Sequence, residues 1–330
     1  MLFNETNFIQ EIFKSKILHF DELAVRLFQH QYEHNPVYRS YCNHLNTDTS
    51  AINSVAQIPF LPVSFFKTHN VQTGIFTPEA IYTSSATTGM TISQHPVKNN
   101  AIYIQSFTKA FELFYGDPSQ YAILALLPNY IEREGSSLIV MADHLIGLSK
   151  QEESGFYLYN FEELHQTLVR LKAKKTKVLL LGVTFALLDF AEQFPIDLSN
   201  DIIMETGGMK GRRKEMIRAE VHAQLQAALN VKHVHSEYGM TELLSQGYSS
   251  GEGIFYTPPW MKVTVSDATD ALQLLPGTQT GLINVIDLAN IHSCAFIQTA
   301  DIGKIHIDGG FEVLGRLDQS DMRGCSLMYL

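Results

Sequence analysis

Five short loops carry the side chains in this sequence best suited to chemistry on a phosphorylated ligand. In "YTSSATTGMT" (82–91), Ser84, Ser85, Thr87 and Thr88 put four hydroxyls on one loop, closed by Gly89. Hydroxyls and backbone N–H groups on a tight loop form a nest for phosphate oxygens. No G-K-[ST] follows, so it is not a Walker loop, and an ordinary polar turn is the alternative. In "METGGMKGRRKE" (204–215), Gly207 and Gly208 would let a ligand ring or phosphate approach the backbone closely. Their spacing is not G-x-G-x-x-G, and simple turn chemistry is the competing reading. In "HSEYGMTELLSQ" (235–246), a strand is expected to end at Tyr238–Gly239 and a helix to begin at Thr241–Glu242. Glu242 could hold a magnesium ion already bound by phosphate oxygens; otherwise Thr241 and Glu242 cap the helix. In "FIQTADIGKI" (296–305), Asp301 follows a strand-like run and could accept hydrogen bonds from two vicinal ribose hydroxyls, or occupy a turn. In "VLGRLDQSDMRGC" (313–325), Arg316 ends a strand and offers a planar donor fork. Beyond it, the terminal "RGCSLMYL" holds Cys325, which taken alone is a small hydrophobe at a chain end.

The elements around these loops follow from hydrophobic periodicity. Residues 4–46 read as helical, with Phe8, Ile12, Phe13, Leu23, Leu27 and Phe28 at helical spacing. From residue 80, strand and helix alternate. "AIYTS", "YAILALLP", "KVLLLGV", "DIIMETGG" and "VKHVHSEYG" are the expected strands, and the segments between carry helical stripes. Nearly all-apolar strands separated by helices predict a mostly parallel sheet covered on both faces. From about 246 the helical periodicity stops, and short strand-like runs alternate with Pro and Gly. The expectation is α/β, in two parts: 1–245, a helical N-terminus plus α/β body, and 246–330, a β-rich subdomain with a cysteine tail. In such folds ligands sit where strands end, which is where these loops fall.

Composition narrows the setting. Apolar residues are 45% and charged residues 18%, enough to build a large core. A net charge of −10 disfavours nucleic acid as a partner; the basic run "KAKKTK" (172–177) reads as a helix C-terminus. No apolar run reaches the ~20 residues of a membrane span, and the N-terminus reads as an amphipathic helix and not a signal peptide. Cys42, Cys294 and Cys325 are too few and too scattered for a disulfide framework or zinc knuckle, so a cytoplasmic setting is expected.

Taken in order, "SSATTGM", "EYGMTE", "QTAD" and "GRLDQSDMRG" resemble the nucleotide-binding motifs of the adenylate-forming superfamily, which includes acyl-CoA ligases, firefly luciferase and peptide-synthetase adenylation domains. With "LPNYIEREGSSLIVM", "ETGGMKG" and the terminal "RGCSL", the chain is most similar to the bacterial bioluminescence acyl-protein synthetases, the long-chain-fatty-acid–protein ligases. The resemblance runs from about 55 to 330 and is weaker in the N-terminal helices. It implies the large N-terminal-domain fold of the superfamily, without the usual C-terminal domain. It further implies ATP, Mg2+ and a carboxylic acid, with a fatty acid expected, and either a reductase or another acyl-accepting protein as partner. Ser84, Ser85, Thr87, Thr88 and Gly89 would hold phosphates. Gly207 and Gly208 would line the adenine and acyl side, with Tyr238 against the adenine. Thr241 and Glu242 would serve phosphate and magnesium, and Asp301 and Arg316 the ribose. Cys325 matches the cysteine that accepts the acyl group. Ala86 and Ala300 stand where glycine is usual, and the lysine that often follows the first loop is missing.

Rival readings are an acyl-CoA ligase using free coenzyme A and a non-catalytic nucleotide-binding subunit of a reductase complex. "GYSSG" (247–251) fits G-x-S-x-G, with Ser249 as nucleophile, but that elbow needs a strand before it and a helix after it. His233 and His235 could share a strand face as a metal pair, with no third ligand at suitable spacing.

Overall fold

A computed structural model describes residues 3–14, 19–84, 91–128, 135–207 and 216–317. Those residues form a mixed α/β fold, as the alternating pattern predicts. They fall into two compact units. One comprises residues 1–106, 240–245 and 256–330; the other comprises 107–239 and 246–255. The chain passes between units at 106/107, 239/240, 245/246 and 255/256.

The second unit is the α/β body. Its sheet runs in the order Gly155–Tyr157, Ala122–Leu126, Val178–Val183, Ile202–Thr206, His235–Tyr238, all parallel, and ends with Gly247–Ser249 antiparallel. Every residue of Ala122–Leu126 and Val178–Val183 is buried, because helices cover both faces of a parallel sheet. Helix Phe161–Lys174 shows why such segments become helices. Leu164, Leu168 and Leu171 form its buried stripe, Glu162 and Glu163 lie in its first turn, and Lys172 and Lys174 lie in its last. Parallel strands end on one edge, so the loops after Thr206 and Tyr238 emerge side by side.

The first unit holds helices Glu5–Ile12, Phe20–His34 and Pro36–His44 and an antiparallel sheet. That sheet contains Phe311–Arg316, Phe296–Ile305, Thr280–Asp287 and Met261–Ser266 in that order, with Leu61–Pro62 parallel to Phe296–Ile305. A separate hairpin pairs Ala80–Thr83 with Gln94–Val97. The β-rich character expected after 246 is therefore present. No helix among the described residues is long and apolar enough to cross a membrane.

Candidate functional site

In the first unit, the hairpin places Ser84 at the end of its first strand. The Ser84 N–H donates to the Ser93 carbonyl at 3.2 Å, and the Ser93 N–H donates to Ser84 Oγ at 2.9 Å. Ser93 lies beside the carboxyl of Glu242, so the base of the hydroxyl-rich loop and the glutamate are brought together.

The expected helix at Thr241–Glu242 does not form; residues 241–242 are a turn, and Gly247–Ser249 is a strand. Leu243, Leu244, Ser245 and Gln246 are buried in succession, so the segment carries no one-sided apolar stripe. With no helical ladder, the backbone polar groups of the turn need other partners. The Glu242 carbonyl accepts from Asn290 Nδ2 at 2.8 Å. The Thr241 carbonyl lies 2.8 Å from His95 Nδ1, and His95 Nε2 lies 3.1 Å from Asn290 Oδ1. Asp287 accepts from the Leu244 N–H at 2.7 Å and from Ser245 Oγ at 2.6 Å. Asn290 is itself fixed, because its carbonyl accepts from Gln31 Nε2 of helix Phe20–His34 at 2.9 Å.

Glu242 is 5% exposed. Burial pushes its carboxyl above the usual carboxylate range, against the Ser93 bond, its own backbone N–H and the charges of Arg316 and Lys67. Burial likewise pushes Asp287 up to about 6, against bonds from Ser245, Leu244 and Ala289. Burial holds His95 down at about 4, against its bonds with Thr241 and Asn290.

Asp301 does not follow a strand; it lies inside Phe296–Ile305, directly across from Arg316. Arg316 Nε is 3.9 Å from Asp301 Oδ1, with the guanidinium largely exposed. The two residues expected to share one ligand thus lie side by side.

In the second unit, Gly207 ends Ile202–Thr206 with φ of 72°, a conformation glycine adopts at no steric penalty, and its carbonyl accepts from Thr184 Oγ1 at 3.2 Å. Tyr238 ends the neighbouring strand, buried, with its ring 5.9 Å from that of Phe255. Two buried carboxylates sit beneath these loops. Glu205 accepts from Thr184 Oγ1 at 2.9 Å and lies 3.3 Å from Arg218 Nε. Burial opposes its ionisation, but His222, Arg218, Ser236 and Thr184 outweigh it and hold the carboxyl low. Glu237 has the Thr206 hydroxyl at 2.5 Å. Burial pushes Glu237 up to about 7, against that bond and with the repulsion of Glu205. A side-chain carbon on Gly239 would collide with Glu237 Oε1, so the tethered carboxylate would have to shift to admit one.

Ser85, Thr87, Thr88, Gly89, Gly208 and Cys325 lie outside the described residues. Ser249 is buried on a strand with its hydroxyl donated to the Gly251 carbonyl at 2.9 Å, and strand Ile254–Phe255 follows where a nucleophile elbow needs a helix.

Residues 9–329 match the family described as acyl-protein synthetase, LuxE. The chain belongs to the LuxE acyl-protein synthetase family. No curated protein matches its sequence. Its fold is that of the large domain of adenylate-forming enzymes. One similar structure is 2-hydroxyisobutyryl-CoA ligase in complex with 2-HIB-AMP and CoA, with TM-score 0.62, 12% identity, and 91% of this chain and 70% of that one covered. ATP-bound MatB from Rhodopseudomonas palustris matches with TM-score 0.55, 17% identity and 72% and 48% coverage. O-succinylbenzoate coenzyme A synthetase (MenE) from Bacillus subtilis, with AMP, gives 0.51, 18%, and 73% and 49%. The LuxE-family chain spans about half the length of the MatB structures it matches.

The donors gathered around Glu242 are oxygens, namely its own carboxylate and the hydroxyl of Ser93 with Ser84 beside it. Hard oxygen donors with one or two carboxylates suit magnesium, which leaves its other positions to phosphates and water. Among the described residues no group of three or more His, Cys, Asp or Glu forms a metal cage. The residues that hold this turn, His95, Asp287 and Asn290, carry no sequence signature, because their contacts join segments far apart in the chain.

Proposed function

We propose that this chain activates a carboxylic acid, with a fatty acid the expected class, by joining it to the α-phosphate of ATP, and then passes the acyl group to the thiol of Cys325. Membership of the LuxE acyl-protein synthetase family over 9–329 is the observation that carries this reading. The proximity of Glu242 to Ser93 and to the charge of Arg316 supports it.

A carboxylate has a poor leaving group and must be activated before a thiol can take its acyl carbon. A carboxylate oxygen attacks the α-phosphorus, pyrophosphate leaves, and the acyl-adenylate forms. The chain's work is to position reactants and stabilise charge. In this reading Ser84, Ser85, Thr87, Thr88 and Gly89 bind phosphate oxygens, and Thr241 orients them. Glu242 holds magnesium, which when bound neutralises phosphate charge. Asp301 and Arg316 bind the ribose. Gly207 and Gly208 line the adenine and acyl side, and Tyr238 lies against the adenine. The Cys325 thiolate then attacks the acyl carbon, and AMP leaves. Nine residue steps from Arg316 to Cys325 reach up to roughly 30 Å when extended, enough for the thiol to reach the acyl-adenylate or an acyl-accepting protein partner.

A second reading, release to free coenzyme A, is favoured by the CoA-bound 2-hydroxyisobutyryl-CoA ligase structure. Labelled fatty acid with MgATP separates the two. Hydroxylamine-sensitive label on wild-type protein that is lost in Cys325→Ser is the expected result. Label retained in Cys325→Ser, or found only on added coenzyme A, overturns acyl transfer to the cysteine.

A further inference from the structure

The Thr241–Glu242 peptide is held from outside by one side chain, and that side chain belongs to no motif. His95 is 1% exposed, and its ring stands edge-on to Phe66 with centroids 5.7 Å apart. Its Nδ1 lies 2.8 Å from the Thr241 carbonyl oxygen, which can only accept, so Nδ1 carries a proton. In a trans peptide the N–H points opposite to the carbonyl. Fixing the Thr241 carbonyl therefore fixes the direction of the Glu242 N–H, and with it the backbone from which the Glu242 carboxylate projects. On the other side of the residue, Asn290 Nδ2 holds the Glu242 carbonyl at 2.8 Å. Both peptide planes flanking Glu242 are thus set by side chains remote in sequence.

We propose that His95 is a positioning residue for the Glu242 carboxylate, acting through the Thr241–Glu242 peptide, with Asn290 completing the frame. This rests on the reading of Glu242 as the magnesium-holding group. Substitutions at His95 test it because Asn and Gln each place a polar atom near one of the two ring nitrogens. Asn places an amide N–H near Nδ1 and can still hold Thr241, whereas Gln is closer to histidine in size but places its N–H near Nε2.

The chain's one tryptophan supplies a readout other than turnover. Trp260 Nε1 donates to Ser106 Oγ at 2.9 Å, and Ser106 Oγ is 3.0 Å from Ser245 Oγ at the end of the same turn. The experiment follows Trp260 fluorescence in the full chain as magnesium is titrated at fixed ATP, for wild type, His95→Asn, His95→Gln and Asn290→Ala. Loss of one hydrogen bond to the frame is expected to raise the magnesium concentration at half-response about tenfold in His95→Gln and Asn290→Ala, with His95→Asn within about threefold of wild type. A rank order following side-chain volume, with Gln milder than Asn, overturns the proposal. So does an unchanged magnesium requirement in folded variants, and so does loss of the folded state in all three, which would make His95 a packing residue only. A wild type that shows no response and no acid-dependent pyrophosphate exchange would count against the reading of Glu242 and of the activity, a result distinct from any failure of the variants.

Discussion

Asn290 donates its side-chain amide to the backbone carbonyl of Glu242 at 2.8 Å, across 48 residues of chain. Asp287, three positions before it, accepts from the Leu244 N–H, the Ala289 N–H and the Ser245 hydroxyl. The connection after Thr280–Asp287 therefore holds residues 242–245 of the turn. Asp287→Ala leaves buried donors unmet and should destabilise by about 3 kcal/mol, with Asp287→Asn milder. Urea unfolding measures this, and an unchanged midpoint in Asp287→Ala would show the turn to be held elsewhere.

Gly239 lacks room for a side chain because Glu237 Oε1 occupies the space, and Glu237 is tethered by Thr206. Gly239→Ala should destabilise by about 1–3 kcal/mol through overpacking. Removing the obstruction in Gly239→Ala/Glu237→Ala should restore part of that, giving a favourable coupling of about 1 kcal/mol in a double-mutant cycle. Strict additivity of the two changes would contradict the steric account.

The Glu237 carboxyl is raised from 4.5 to about 7, chiefly by burial. Between those values the folded chain binds more protons than the unfolded one, so this group's contribution to stability falls as pH rises from about 4.5 to 7. His95 and His235, both held near 4 by burial, act in the opposite sense: their contribution is present above 6.5 and is lost as pH falls toward 4. The term belonging to Glu237 is isolated by difference. Glu237→Gln should match wild type near pH 5 and exceed it near pH 8, by up to about 3 kcal/mol. Thermal midpoints across this range test the sign; a difference independent of pH would show that Glu237 ionises normally.

Arg316 and Asp301 face each other across adjacent strands at 3.9 Å with the guanidinium exposed, so their ion pair stabilises by about 1 kcal/mol at most. If they serve a ribose, Arg316→Gln should weaken AMP binding about tenfold while unfolding changes little. Calorimetric titration with AMP decides it, and unaltered affinity would remove Arg316 from the nucleotide site.

Much of the scaffold was legible in the sequence because apolar runs and helical stripes report burial directly. Val178–Val183 and helix Phe161–Lys174 appear where periodicity places them. The turn at Thr241–Glu242 was misread as a helix start because local spacing cannot reveal the remote side chains that hold its backbone. Asp301 was expected after a strand, yet the strand runs ten residues, Phe296–Ile305, and Asp301 pairs with Arg316 of its neighbour, a register set by the sheet. The frame of His95, Asn290 and Asp287 was invisible because its contacts span 42 to 195 residues. Motif order named candidate loops, whereas only the fold revealed which side chains hold the 241–245 turn in place.

The most direct test of the account is acid-dependent exchange of labelled pyrophosphate into ATP by the full chain with magnesium present. Exchange that requires a carboxylic acid, is strongest with fatty acids, and falls by more than about tenfold in Glu242→Gln is the predicted result. No exchange with any acid across a full range of chain lengths would contradict acyl-adenylate formation by this protein.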